Sequence, residues 1–168
     1  MLYELTVPTF KKALYNLLVL LNKGEEYAQS KKIPVEVLLN TRLAPDMFPL
    51  IRQVQISCDT AKLCVARLTA KEAPVHEDKE VTLPELKARI ESVLSYLDSF
   101  HKNEFEGSDA RRISQPRWEG KWLTGQEYVF HHALPNIYFH VSMAYAILRN
   151  NGVDVGKKDY LGELPFKK

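Results

Sequence analysis

Apolar residues recur at steps of three and four along four stretches of the chain, the period of a helix with one buried face. The first stripe is Val7, Phe10, Leu14, Leu17 and Leu21. Thr6 is placed to cap that helix, with Pro8 tolerated in its first turn. Lys31-Lys32-Ile33-Pro34 interrupts, and residues 30–44 read as a connection with one helical turn around Val35 to Leu39. Pro45 and Pro49 open a second helix whose stripe is Met47, Ile51, Val54, Cys58, Ala61, Val65 and Leu68. Ala70 to Val81, with Pro74 and mixed charge, is a loop that leaves His76 exposed.

Thr82-Leu83-Pro84-Glu85 matches a capping box, in which the threonine accepts from the third helical amide and the glutamate reaches back. It opens a third stripe of Leu83, Leu86, Ile90, Val93, Leu97 and Phe100. Residues 103–123 then break the helical period, and a break of that length is either functional or locally ordered. Ile113, Trp118 and Trp122, spaced among Arg111, Arg112, Arg117 and Lys121, predict an extended segment covering the end of the core. A second capping box, Thr124-Gly125-Gln126-Glu127, opens a fourth helix that runs to about Asn150 and stops at Asn151-Gly152. The tail from Val153 to Lys168, with Gly156, Gly162 and Pro165, is expected to be irregular. Four amphipathic helices in one chain of 168 residues predict an all-α fold, a single four-helix bundle over residues 1–168 with a long irregular connection between helices three and four.

The fourth stripe differs from the others. It reads Val129, His132, Asn136, Phe139, Met143 and Ala146, with His140 adjoining. His132, Asn136 and His140 stand at i, i+4 and i+8, so each is turned only about 40° from the one before. Buried polar groups of this kind cost roughly 1–3 kcal/mol each unless a partner satisfies them. Pro135 lies inside the same turn, where it cannot donate to the carbonyl of His131 and kinks the helix. Helix two offers an opposite wall of Asp46, Gln53, Ser57 and Thr60. Three uses fit such a ladder: a closed hydrogen-bonded network, a pocket for a small organic ligand, or a divalent metal held by two imidazoles and a carboxylate. Against the metal, an amide is a poor ligand for zinc or nickel, and His132 and His140 are about 12 Å apart along the axis. No metal site is therefore assigned.

Composition narrows the classes further. The chain is 45% hydrophobic and 26% charged, and 23 basic against 21 acidic residues leave a net charge of +2. So small an imbalance gives no reason to expect nucleic acid or an anionic membrane as a partner. Cys58 and Cys64 lie about 240° apart around a helix axis, so they do not pair and read as buried thiols. The N-terminus lacks the basic region of a signal peptide and no apolar run approaches a membrane span, so a cytoplasmic location is expected. Phosphate loops, Cys-x-x-Cys pairs, His-Glu-x-x-His runs and nucleophile elbows are missing from the sequence.

The C-terminal string Leu134-Pro135-Asn136, Phe139-His140, Ala144 to Arg149, Asn151-Gly152-Val153 and Gly156 to Gly162 resembles the signature of the domain-of-unknown-function family DUF1993. Ala44-Pro45-Asp46-Met47 with Gln53 is similar to that family's second-helix pattern. The resemblance spans nearly the whole chain. It implies membership of the DinB/YfiT-like superfamily, hence a four-helix bundle that is often a homodimer. Many superfamily members hold a divalent metal through three histidines, and the resemblance maps those positions onto His132, Asn136 and the neighbourhood of Gln53. Of the three ligands it implies, this chain keeps one. The expected function is a small-molecule pocket between helices two and four, lined by Gln53, His132, Asn136, His140 and Asp46, with the cofactor and any reaction undefined. The alternatives are a metal-dependent enzyme of the DinB/thiol-transferase type and a homodimeric interaction protein without a ligand.

Overall fold

The computed structural model describes residues 1–167. Helix α1 runs over Leu2–Lys31, a short α2 over Val35–Leu39, α3 over Leu50–Thr69 and α4 over Leu83–Asp98. The fourth bundle helix is composite: α5 over Gly125–Tyr128, a π-helical turn over Val129–Ala133, and α6 over Leu134–Asn150. A last short helix, α7, spans Lys157–Leu161. The sequence's helices two and three are thus α3 and α4, and α3 packs most extensively against α6. Every apolar residue of the first and third stripes is buried in one core with Val54, Cys58, Ala61, Val65 and Leu68 of α3. No helix among the described residues is long and apolar enough to cross a membrane.

Thr6 does not cap α1. The helix begins at Leu2, and the fully buried Thr6 hydroxyl donates back to the Leu2 carbonyl at 2.6 Å, one turn inside the helix. Helix α3 likewise starts later than its prolines suggested, at Leu50, leaving Met47 in the preceding turn. Both predicted capping boxes form: the amides of Glu85 and Glu127 donate to the hydroxyls of Thr82 and Thr124, and each glutamate accepts from its threonine's amide at 2.9 Å.

The connection between α4 and α5 is ordered rather than irregular. It contains 3₁₀ turns at Lys102–Phe105 and Pro116–Trp118, and strands β1 (Arg112–Ile113) and β2 (Leu123–Thr124) that pair antiparallel. Phe105 and Ile113 enter the core and Trp118 packs on it. Trp122 does not: it is exposed, with the Arg112 guanidinium over its ring at 4.9 Å. Gly125 shows how tightly this segment is laid down, since a Cβ there would lie 1.8 Å from the Ser108 carbonyl oxygen. The tail is also more ordered than its glycines implied, with Val153 and Val155 buried and α7 against α1. Lys168 lies outside the described residues.

The π turn changes the fourth stripe. Leu134 donates to the carbonyl of Val129, an i→i+5 bond that inserts one residue immediately before Pro135. The wider turn accommodates the ring without the clash an α-helical interior imposes. It also rotates everything downstream. The buried row becomes Val129, Ala133, Ile137, Val141, Ala144 and Leu148, while Phe139 is 53% exposed and Met143 only half-buried. The polar ladder therefore flanks the core instead of crossing it.

Candidate functional site

Beside its buried stripe α3 carries Arg52, Ile56, Asp59, Thr60, Leu63 and Arg67, partly buried and spaced to share one side of the helix. That side faces His132, Asn136 and His140, and the segment at Gln115, Pro116 and Arg117 closes one end, with Phe48 at the other. Together they enclose an open cleft of about 480 Å³.

Each ladder residue finds a partner outside its own helix, one from the Pro116–Trp118 turn and two from α3. At the roofed end Arg117 Nη2 donates to His132 Nε2 at 2.7 Å, and the His132 ring stacks on Tyr128 at 5.3 Å between centroids. Guanidinium groups only donate, so His132 is neutral with its proton on Nδ1. That Nδ1 is buried and unpartnered. Burial, then the charges of Arg117 and Arg67, hold this imidazole below its ordinary pKa. Arg67 in turn donates to the Tyr128 hydroxyl at 2.7 Å. In the middle, Asn136 Nδ2 donates to Thr60 Oγ1 at 2.6 Å, and the Thr60 hydroxyl donates to the Ile56 carbonyl at 2.7 Å. At the far end the buried His140 meets Gln53 Oε1 through Nδ1 at 2.7 Å, while Gln53 Nε2 donates to the Phe48 carbonyl at 3.0 Å. Burial, with Arg52 as a second cause, pushes His140 down to about 4.

Four of the five residues expected from the sequence converge here: His132, Asn136 and His140 line the cleft and Gln53 stands behind His140. Asp46 does not. It is exposed in the turn before α3, because the helix opens at Leu50 and not at Pro45. Ser57 is buried and committed to the Gln53 carbonyl. The arginines Arg52 and Arg67 were the omission. Their signal was the polar row one helical step beside the apolar stripe of α3, a row the stripe itself draws the eye away from.

Asp59 is the cleft's acidic group, and it is already engaged by Arg89 at 2.8 Å and Lys62 at 3.0 Å. Arg89, 2% exposed, also binds Asp78 at 2.6 Å and Glu80 at 3.1 Å. Lys62 reaches His76 Nδ1 at 2.7 Å. His76 is therefore half-buried and partnered, not exposed as the loop's composition suggested. This network ties residues 74–80 onto α3 and α4. The cysteines are buried and unpaired, with burial pushing Cys58 up to about 12 and Cys64 up as well, so neither thiol is activated.

The three superfamily ligand positions do not suit a metal in this chain. One lone pair of His132 faces a guanidinium, and Asn136 and Gln53 present neutral amides already hydrogen-bonded. Among the described residues, no group of three His, Cys, Asp or Glu is placed to hold an ion.

A family model described as Domain of unknown function (DUF1993) matches residues 2–161. Among solved structures, a crystal structure of a DinB family member protein from Shewanella denitrificans is 57% identical in sequence, and the match covers 100% of this chain and 96% of that one with a TM-score of 0.97. No curated protein matches the chain.

Proposed function

Since the chain belongs to the DUF1993 family, whose description names no activity, we propose from the cleft's own chemistry that it binds a small organic anion without a resident metal. One observation carries this reading. Arg117 and Arg67, at the roofed end of the cleft, have no carboxylate partner among the described residues and instead donate to a neutral imidazole and a phenol. A guanidinium is matched in shape and charge to a carboxylate or phosphate, and its bonds to such groups are about twice as strong as neutral ones. The committed Asp59 adds no free negative charge, and Arg52 is likewise paired, to Asp78 at 2.5 Å, so the unpaired positive charge lies at the roofed end. A volume of about 480 Å³ suits a small metabolite.

Calorimetric titration with hexanoate and with phenyl phosphate, at low and moderate salt, tests the reading. Binding that weakens with salt, and falls at least tenfold in both Arg67→Met and Arg117→Met, is expected. Affinity unchanged in the double variant, or binding that appears only after zinc, nickel or manganese is added, overturns it.

A further inference from the structure

The hydrogen-bond directions in the cleft are fixed by backbone carbonyls, which only accept. The Thr60 hydroxyl is spent on the Ile56 carbonyl, so Thr60 Oγ1 must accept from its other neighbour. Asn136 therefore turns its amide nitrogen to Thr60 and its Oδ1 away, into the cleft it lines. The same logic runs at the far end. The Phe48 carbonyl orients Gln53 Nε2, so Gln53 Oε1 faces His140 and accepts from Nδ1–H. His140 is left with a proton on Nδ1 and a bare lone pair on Nε2. Neither Asn136 Oδ1 nor His140 Nε2 has a partner among the described residues, and neither is sealed from the cleft.

Resting on the anion-binding reading above, we infer that the ligand is an anion that also carries O–H or N–H donors, read by Asn136 Oδ1 and His140 Nε2. The two acceptors stand one helical turn apart, about 6 Å along the axis. The guanidinium groups of Arg67 and Arg117 lie toward the Tyr128–His132 end of the same cleft. The cleft is thus bipolar, a donor end for an acid and an acceptor end for hydroxyl or amino groups. Hydroxy acids, sugar acids and sugar phosphates belong to this class, and fatty acids do not. A site with fixed acceptors disfavours an analogue that lacks the donors, because those acceptors are then desolvated without a partner. Gln53 acts as a positioning residue that sets which nitrogen of His140 is open.

Gluconate and hexanoate share a six-carbon chain and a carboxylate and differ in hydroxyls, so they make a matched pair of probes. Calorimetry on the whole protein should show gluconate bound at least about tenfold more tightly. In ¹⁵N-detected spectra of the histidine rings, gluconate should move the unprotonated Nε2 signal of His140, while hexanoate leaves it in place. Gln53→Met should reduce the gluconate preference below about threefold and change the tautomer signature of His140, with hexanoate affinity retained. Equal affinities, tighter hexanoate, or a His140 ring carrying its proton on Nε2 in the wild-type protein would overturn this inference and leave the anion site standing. Failure of both acids to bind would overturn the anion site, and this inference with it.

Discussion

At His140 a ring nitrogen is committed by a carbonyl two bonds of a network away, that of Phe48, acting through Gln53. The buried ring is held neutral, and this ties it to stability. Its folded pKa, about 4, lies below the ordinary histidine value near 6.5, so as pH falls the unfolded chain takes up the proton first. The contribution is complete above pH 6.5 and is lost between about 6.5 and 4, up to roughly 3 kcal/mol. Denaturant titrations should show a wild-type stability falling more steeply over that window than His140→Gln, which keeps a polar group but does not titrate there. Parallel curves would remove the assignment. The ladder that contains His140 was legible in the sequence because a helix repeats locally. Its partners were not. Thr60 is 76 residues from Asn136 and Gln53 is 87 from His140, so only the packing of α3 on α6 brings them together.

The two capping boxes, whose signal is wholly local, were read correctly, whereas Thr6 and Pro45 did not mark the helix starts they suggested. Thr82 and Thr124 each sit three residues from the glutamate they exchange hydrogen bonds with. The π turn shows the opposite case. Pro135 marked where the fourth helix is perturbed, but a kink and an inserted residue are equally consistent with a proline, and the choice between them decides which side of α6 is buried. Phe139 and Met143 were assigned to the core on an unbroken period and lie outside it because the period is broken at Val129–Ala133. The segment before α5 depends on Gly125 in a way the letter alone did not reveal. Gly125→Ala drives a methyl into the Ser108 carbonyl, and either the Ser108–Asp109 backbone or the start of α5 must shift. A loss of about 2–3 kcal/mol in a denaturant titration is expected, against the small gain that alanine brings to an unobstructed helix position. A neutral or stabilising effect would show that the segment yields without cost.

Across the whole molecule, the bundle and the stripes of its first and third helices followed from period, and the likeness to a solved DinB family member at 57% identity agrees with the bundle. The charge network around Arg89 did not follow, since Arg89 sits in a stripe-flanking position that reads as solvent-facing until the loop folds over it. With Asp59, Asp78 and Glu80 about one guanidinium, and Lys62 beside them, it fastens residues 74–80 to two helices and holds one wall of the cleft. Arg89→Leu removes the buried guanidinium that Asp59, Asp78 and Glu80 share and leaves three partly exposed carboxylates clustered, so a loss of about 2 kcal/mol is expected, read as a fall of roughly 4–8 °C in the thermal midpoint. A variant as stable as wild type would mean that the network orders the loop without stabilising the fold. The central claim, that the cleft between α3 and α6 takes an organic acid at its arginines, is tested most directly by soaking crystals in 6-bromohexanoate and locating the bromine by anomalous scattering. The account predicts bromine within the cleft and the carboxylate bonded to Arg117 and Arg67. A carboxylate bound elsewhere with the cleft holding only water, or a metal ion coordinated by His132, would contradict it.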